Sequence, residues 1–94
     1  MKKTSGKKLA KLLGISSARG MQAVMKAELI SAVLDQMSKK NITHIQLAEK
    51  AGLPRSAVTG ILSGSLQKVT VDRILRLVEA VGLVAEVKIH KMAA

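Results

Sequence analysis

Apolar residues recur at helical spacing through the first half of the chain. The stripe between positions 18 and 40 consists of Leu29, Ile30, Val33, Leu34 and Met37, and Met21 and Met25 extend it towards the N-terminus. Because side chains three and four positions apart share one face of an α-helix, this spacing predicts a long helix over 18–40. The run Ser38-Lys39-Lys40-Asn41 ends it, since it places positive charge at the negative end of the helix dipole.

Two short helices are predicted between Thr43 and Gly64. Thr43 suits the N-cap of the first, with Gln46 as its capping-box partner three residues later. Gly52 suits left-handed backbone after that helix, and Pro54, whose φ is fixed, suits the start of the second. Gly64 ends the second helix. The inward-facing positions are Leu47, Ala48 and Ala51 in the first helix, and Val58, Ile61 and Leu62 in the second.

A fourth helix follows after a loop. Thr70 suits its N-cap, Asp72 lies in its first turn and Gly82 ends it. Its predicted buried face consists of Val71, Ile74, Leu75, Val78 and Val81.

The period changes to two after Gly82. Apolar Leu83, Ala85, Val87 and Ile89 alternate with polar Glu86, Lys88 and His90, which predicts a β-strand. One isolated strand is not stable, so we expect it to pair with the same strand of a second copy. The residues predicted to form this dimer contact are Val84, Val87 and Ile89.

The pattern predicts one mainly α domain: a helix-turn-helix bundle of four to five helices with a C-terminal β-strand that pairs across a dimer. The fifth helix would be a short turn at LAKLLGI, residues 9–15. We divide the chain into a basic N-terminal arm (1–13), a helix-turn-helix domain (14–82, motif 43–64) and a C-terminal strand and tail (83–94).

Charge points to a polyanionic partner. The 94 residues carry a formal net charge of +10, and the first twenty contain six Lys or Arg and no acid. Such self-repulsion favours binding to a nucleic acid, although a basic surface that is only solvated is the alternative. Single strands and RNA loops are usually bound by stacking bases on aromatic rings. The chain has no Phe, Tyr or Trp, which favours double-stranded DNA.

Other functions find little support in the sequence. No pair of acids, nucleophile–base set or phosphate loop is present, so we expect no enzyme. There is no cysteine, and His90 has no ligand partner nearby in sequence, so neither a metal nor a cofactor is expected. No secretory or long apolar segment stands out, which predicts a cytoplasmic protein without a membrane partner.

The spacing from 43 to 64 meets the demands of a helix-turn-helix. Ala48 is small where two helices would cross, Gly52 allows the turn, and Val58 would anchor the second helix. Five residues at the start and on the outer face of the second helix would then face a major groove: Arg55, Ser56, Thr59, Gly60 and Ser63. The alternative is a packing hairpin in an all-helical interaction domain.

The segment THIQLAEKAGLPRSAVTGILSG resembles the XRE (Cro/C1-type) helix-turn-helix family, whose fold is lambda-repressor-like. The flanks GISSARGMQAVMKAELISAVLDQM and VTVDRILRLVEAVGLVAEVKI resemble the HigA-like antitoxin branch. The resemblance therefore covers residues 14–90 in order. It implies a homodimeric repressor of its own operon that binds a palindromic operator and neutralises a cognate toxin ribonuclease.

The resemblance also implies roles for single residues. Arg55 stands where the family usually has a base-reading Gln, and Arg bonds guanine bidentately. Ser56 and Thr59 match positions that contact bases or phosphate. His44 matches a residue that contacts phosphate and braces the reading residue, unless it is only an exposed first-turn side chain. Gly60, like Ala57, departs from the longer polar residues of the branch, which reduces direct base reading.

Two further predictions rest on position alone. Pro54 begins the DNA-facing helix, and Lys68, in the loop after it, suits a backbone phosphate or is simply solvated. The basic arm reaches along DNA, binds a partner or has no role in the fold. The alternatives to an antitoxin are a stand-alone phage or mobile-element regulator and a nonspecific nucleoid-type DNA binder.

Overall fold

A computed structural model describes residues 17–64 and 66–91 of the chain. This part contains four helices: α1 (Ser17–Lys40), α2 (His44–Ala51), α3 (Arg55–Leu62) and α4 (Val71–Ala80). The four helices predicted from residue 18 onwards are confirmed. The N-terminal arm (1–13), the predicted turn of helix at 9–15 and the tail from 92 lie outside the described residues.

All four helices contribute to one apolar core. α1 packs against α4 and α3, and α2 packs against α3 and α4. Each fully buried Val, Leu or Ile side chain stabilises the fold by about 1.5–3 kcal/mol, because its apolar surface is removed from water. The largest fully buried side chains are Val33, Leu47, Val58, Ile74, Leu77 and Val81.

Two predicted helix faces need correction. Leu75, predicted to be buried, is 40% exposed, whereas Leu77, which was not predicted, is fully buried. The buried face of α4 is centred on Ile74, Leu77 and Val78, because both α1 and α2 pack against this helix. In α1, Ile30, Val33 and Met37 of the predicted stripe are buried, whereas Met21, Met25 and Leu34 are 48%, 49% and 43% exposed.

Helix ends are fixed by local hydrogen bonds. The Thr43 hydroxyl accepts from the Gln46 amide at 3.2 Å, and the Gln46 side chain accepts from the Thr43 amide at 2.9 Å, so the predicted capping box is confirmed. Gly52 adopts φ 67°, and the next amide, of Leu53, donates to the Ala48 carbonyl at 3.1 Å. This left-handed closure turns the chain sharply between α2 and α3.

The segment 83–91 differs from the prediction. Its residues form no regular secondary structure, so the predicted strand is not formed in the single chain. A strand needs a neighbouring strand to accept and donate its backbone hydrogen bonds, and the described part of the chain supplies none. Val84, Val87 and Ile89 are 90%, 78% and 89% exposed. Pairing with a second copy stays a prediction.

Length and hydropathy decide whether a helix can span a bilayer. None of the four described helices combines the length and apolar character needed to cross a membrane.

Candidate nucleic-acid interface

The pair α2–α3 is held by small and branched apolar side chains. Val58 of α3 is fully buried, and Leu47 and Ala48 of α2 are buried beside it in the same core cluster. Gly52, Leu53 and Pro54 alone connect the two helices. With the buried face anchored by Val58 and Ile61, the opposite face of α3 points to solvent.

The predicted DNA-binding residues lie on this outer side. Pro54, Arg55, Ser56, Thr59 and Ser63 are exposed, and Gly60 is half-buried. His44 at the first turn of α2 and Lys68 in the loop after α3 are exposed as well. The five predicted positions therefore lie on the outer side of α3 and its C-cap: Arg55, Ser56, Thr59, Gly60 and Ser63. Their contacts with DNA stay predictions.

Pro54 opens α3 without a side-chain cap. It is the N-cap residue, with φ −61° and ψ 144°, and its side chain makes no capping hydrogen bond. Its carbonyl accepts from the amides of Ala57 and Val58 at 3.0 and 3.2 Å. The first turn of α3 contains no acid, so the positive end of the helix dipole is not offset there. This end of α3 is electrostatically suited to a phosphate.

A side-chain contact joins α2 to the outer face of α3. The Nδ1 atom of His44 lies 3.3 Å from the Thr59 hydroxyl oxygen, and both residues are exposed. Which of the two groups donates depends on the imidazole tautomer. The contact restricts the rotamer of Thr59, so a hydroxyl at the centre of α3 is oriented from the neighbouring helix.

Gly60 is not required by packing. A Cβ atom added to it would meet no atom within 4 Å outside the helix itself, and its φ is not positive. Glycine within a helix destabilises it by about 1 kcal/mol relative to alanine. The Ser63 hydroxyl donates to the Gly60 carbonyl at 2.9 Å, a bond that an alanine at this position would also accept. Nothing in the described part of the chain requires glycine at this position.

The exposed basic residues differ in their partners. Arg55 and Lys68 have no acidic partner among the described residues, so both cations can meet a ligand. Lys39 pairs with Asp35 at 3.0 Å and Arg76 with Asp72 at 3.5 Å, each on an exposed helix surface. Exposed pairs of this kind add about 0.3–0.5 kcal/mol, so they shape the charge pattern more than the stability.

Sequence reasoning missed two lysines with long-range contacts. The Lys40 ammonium donates to the Val81 carbonyl at 2.8 Å and thus links the ends of α1 and α4. Lys26 is 6% exposed and donates to the Leu66 carbonyl at 3.1 Å. A signal for Lys26 existed, because it precedes Ile30 and Val33 by four and seven positions and so lies on their stripe. No sequence pattern indicates the contact of Lys40.

The two crossed helices, their three-residue turn and the exposed face of α3 define a helix-turn-helix domain of the DNA-binding class. The family model described as a helix-turn-helix domain matches residues 13–90, and the chain belongs to this family. The match includes all four helices and nearly the whole C-terminal segment. No curated protein and no solved structure matches the chain significantly.

Proposed function

We propose that the protein is a dimeric transcriptional repressor that recognises a palindromic operator in double-stranded DNA. The observation that carries this proposal is the exposed face of α3, where Arg55 has no acidic partner within the described part of the chain and Thr59 contacts His44. A side chain oriented before binding loses less entropy when it contacts a base. The family membership supports DNA as the partner.

The proposed division of labour follows the chemistry of the side chains. Arg55 presents a planar set of donors that fits O6 and N7 of guanine in the major groove. Ser56 and Thr59 contact base edges or phosphate with their hydroxyl groups. His44 and Lys68 bind backbone phosphates on either side of α3, which fixes its position without reading sequence.

The proposed partner in the dimer is a second copy of the chain. Segment 83–91 offers unpaired backbone groups and the exposed side chains of Val84, Val87 and Ile89. A cleft of about 490 Å³ adjoins it, lined by apolar residues that include Met25, Leu29 and Leu75. Pairing two such segments would bury this apolar surface, and it would set the two α3 helices about 34 Å apart on one side of the DNA.

Footprinting on the DNA upstream of the protein's own gene tests the repressor proposal. We expect protection of an inverted repeat whose half-sites lie one helical turn apart. The control is random DNA of the same length, bound at the same salt concentration. A protein without protected repeats, and with equal affinity and salt dependence on both DNAs, would instead be the nonspecific nucleoid-type binder.

We further propose that the repressor acts as an antitoxin. This step rests on the resemblance of both flanks of the motif to the HigA-like branch. Co-expression with the adjacent gene product tests it: we expect the two proteins to purify together and the ribonuclease activity of the neighbour to fall. A neighbour that neither binds nor cleaves RNA would favour the stand-alone phage or mobile-element regulator.

A further inference from the structure

A cavity separates the N-terminal half of α1 from the loop that follows α3. Its volume is about 300 Å³, and its lining consists of Arg19, Gln22, Ala23, Lys26, Leu66 and Gln67. The four residues from α1 are spaced by three, four and seven positions, so they form one face of that helix. The loop closes the opposite side. None of the predicted DNA-binding residues lines this cavity.

Lys26 is the unusual member of the lining. Its side chain exposes only 6% of its surface, and the Leu66 carbonyl, 3.1 Å from the ammonium nitrogen, is its single hydrogen-bond acceptor among the described residues. The described residues form two ion pairs, Lys39 with Asp35 and Arg76 with Asp72, and neither involves Lys26. Burying an ammonium group is unfavourable unless a counter-charge and acceptors replace water. One carbonyl accepts one of its three N–H bonds and supplies no charge.

We propose that this cavity is a binding subsite for a phosphate group. Its lining carries two cationic side chains, Arg19 and Lys26, two carboxamides, Gln22 and Gln67, and no acid. Guanidinium and ammonium groups form strong, charge-assisted hydrogen bonds with phosphate oxygens. A phosphate offers acceptors in several directions and so suits donors that converge from a helix and a loop. A carboxylate offers its two oxygens in a single plane.

The volume also fits this class of ligand. About 300 Å³ is at the lower end of the range for ligand pockets, which suits a phosphate or pyrophosphate better than a large apolar molecule. The phosphate has two possible sources, the backbone of bound DNA and a free phosphorylated molecule. The loop that forms one wall continues directly into Lys68, so a ligand held there also acts on the proposed DNA interface.

The first arm of the test uses inorganic pyrophosphate and no DNA. The full chain is titrated at constant ionic strength, and amide chemical shifts are followed by NMR. We expect saturable shifts centred on residues 19–26 and 66–67. Lys26→Met, which keeps an unbranched side chain of similar length, should weaken this binding about ten- to hundredfold, because a charge-assisted hydrogen bond is lost. Lys50→Met removes the same charge from an exposed site on α2 outside the cavity and should leave the binding unchanged.

The second arm uses operator DNA. If a backbone phosphate occupies the cavity, Lys26→Met should lower the slope of log affinity against log salt by about one, with an unchanged base preference. Lys50→Met is again the matched control. A Lys26 effect on the salt slope identifies a DNA phosphate as the occupant, whereas an effect with pyrophosphate and an unchanged salt slope identifies a free phosphorylated ligand.

Either of two outcomes would overturn the proposal. In the first, Lys26→Met behaves like Lys50→Met in both arms. In the second, the pyrophosphate shifts spread evenly over all the lysines and the salt slope stays the same. The pyrophosphate arm needs no DNA, so it stands even if footprinting refutes the repressor. Thermal unfolding shows whether Lys26→Met still folds. If it does not, Arg19→Gln replaces it in both arms, because Arg19 lies on the exposed surface of α1 and its loss leaves the core intact.

Discussion

Arg55 is the first residue of α3, and its guanidinium is exposed without an acidic partner among the described residues. An arginine fixed in an ion pair would have to break that pair before it could contact a base. Arg55 avoids this loss, and its position at the helix start lets a long side chain extend past the helix end. Specificity at a single base pair is therefore expected to depend on this side chain.

Arg55→Ala should weaken operator binding by about 1–3 kcal/mol and relax the preference at one base pair. Binding titrations against operators with each of the four base pairs at every position measure both effects. Arg73→Ala, which removes an equal charge from the exposed surface of α4, serves as the control. A uniform loss over all sequences would mean that Arg55 contacts phosphate instead.

Gly60→Ala should stabilise the free protein by about 0.5–1 kcal/mol, because an added methyl group meets open space and lowers the entropy of the unfolded chain. Gly52→Ala should do the opposite, since φ 67° strains any residue with a Cβ atom. Thermal unfolding compares the two variants. If Gly60→Ala also weakens DNA binding, close approach of the DNA explains the glycine; unchanged or stronger binding contradicts that explanation.

At the scale of elements, sequence predicts what is encoded locally. The capping box of Thr43 and Gln46 and the left-handed Gly52 lie within a few residues of the helix ends that they fix. The burial of Leu77 in place of Leu75 depends on where α1 and α2 pack against α4, which periodicity does not record. Lys26 and Leu66 are forty positions apart in the sequence, so no local pattern joins them.

In the candidate site, the exposure of side chains could be predicted from the sequence, but the contacts between elements could not. The exposure of Arg55, Ser56 and Thr59 follows once Val58 and Ile61 are known to face the core. His44 and Thr59 are fifteen positions apart in the sequence, and they meet only because α2 and α3 cross, so no local pattern predicts their contact. The pairing of segment 83–91 involves a second molecule, so neither the sequence pattern nor a single chain determines it.

Deleting residues 83–94 should abolish the dimer while the four helices remain, since the deletion removes no residue of α1 to α4. Analytical ultracentrifugation gives the mass, and circular dichroism gives the helix content. Val87→Asp should have a similar effect, because it places a charge where an apolar pair is expected. Lys88→Asp, one position further and so on the other face of the strand, is the control. A truncated protein that remains dimeric would assign the interface to the helices.

The whole molecule carries 16 Lys and Arg against 6 acids. This excess attracts any DNA at long range, whereas the small exposed face of α3 discriminates between sequences. The two contributions separate when salt is varied, because counterion release governs the first and short-range contacts govern the second.

Operator and random DNA should both bind more weakly as salt rises, and the operator should retain an advantage of about a thousandfold or more at physiological salt. Competition titrations over a range of salt concentrations measure this ratio. Equal affinities at every salt concentration would refute sequence-specific repression and leave the positive charge as the sole basis of binding.

Gly82 fixes the direction in which the C-terminal segment leaves the helical domain. Its φ of 85° disfavours every residue with a Cβ atom, and such an atom would lie 3.0 Å from the Lys40 ammonium that holds the Val81 carbonyl. Residue 82 therefore acts as a joint between the helical body and the segment that follows. A residue with a Cβ atom at position 82 would therefore redirect the whole of segment 83–91 relative to the four helices.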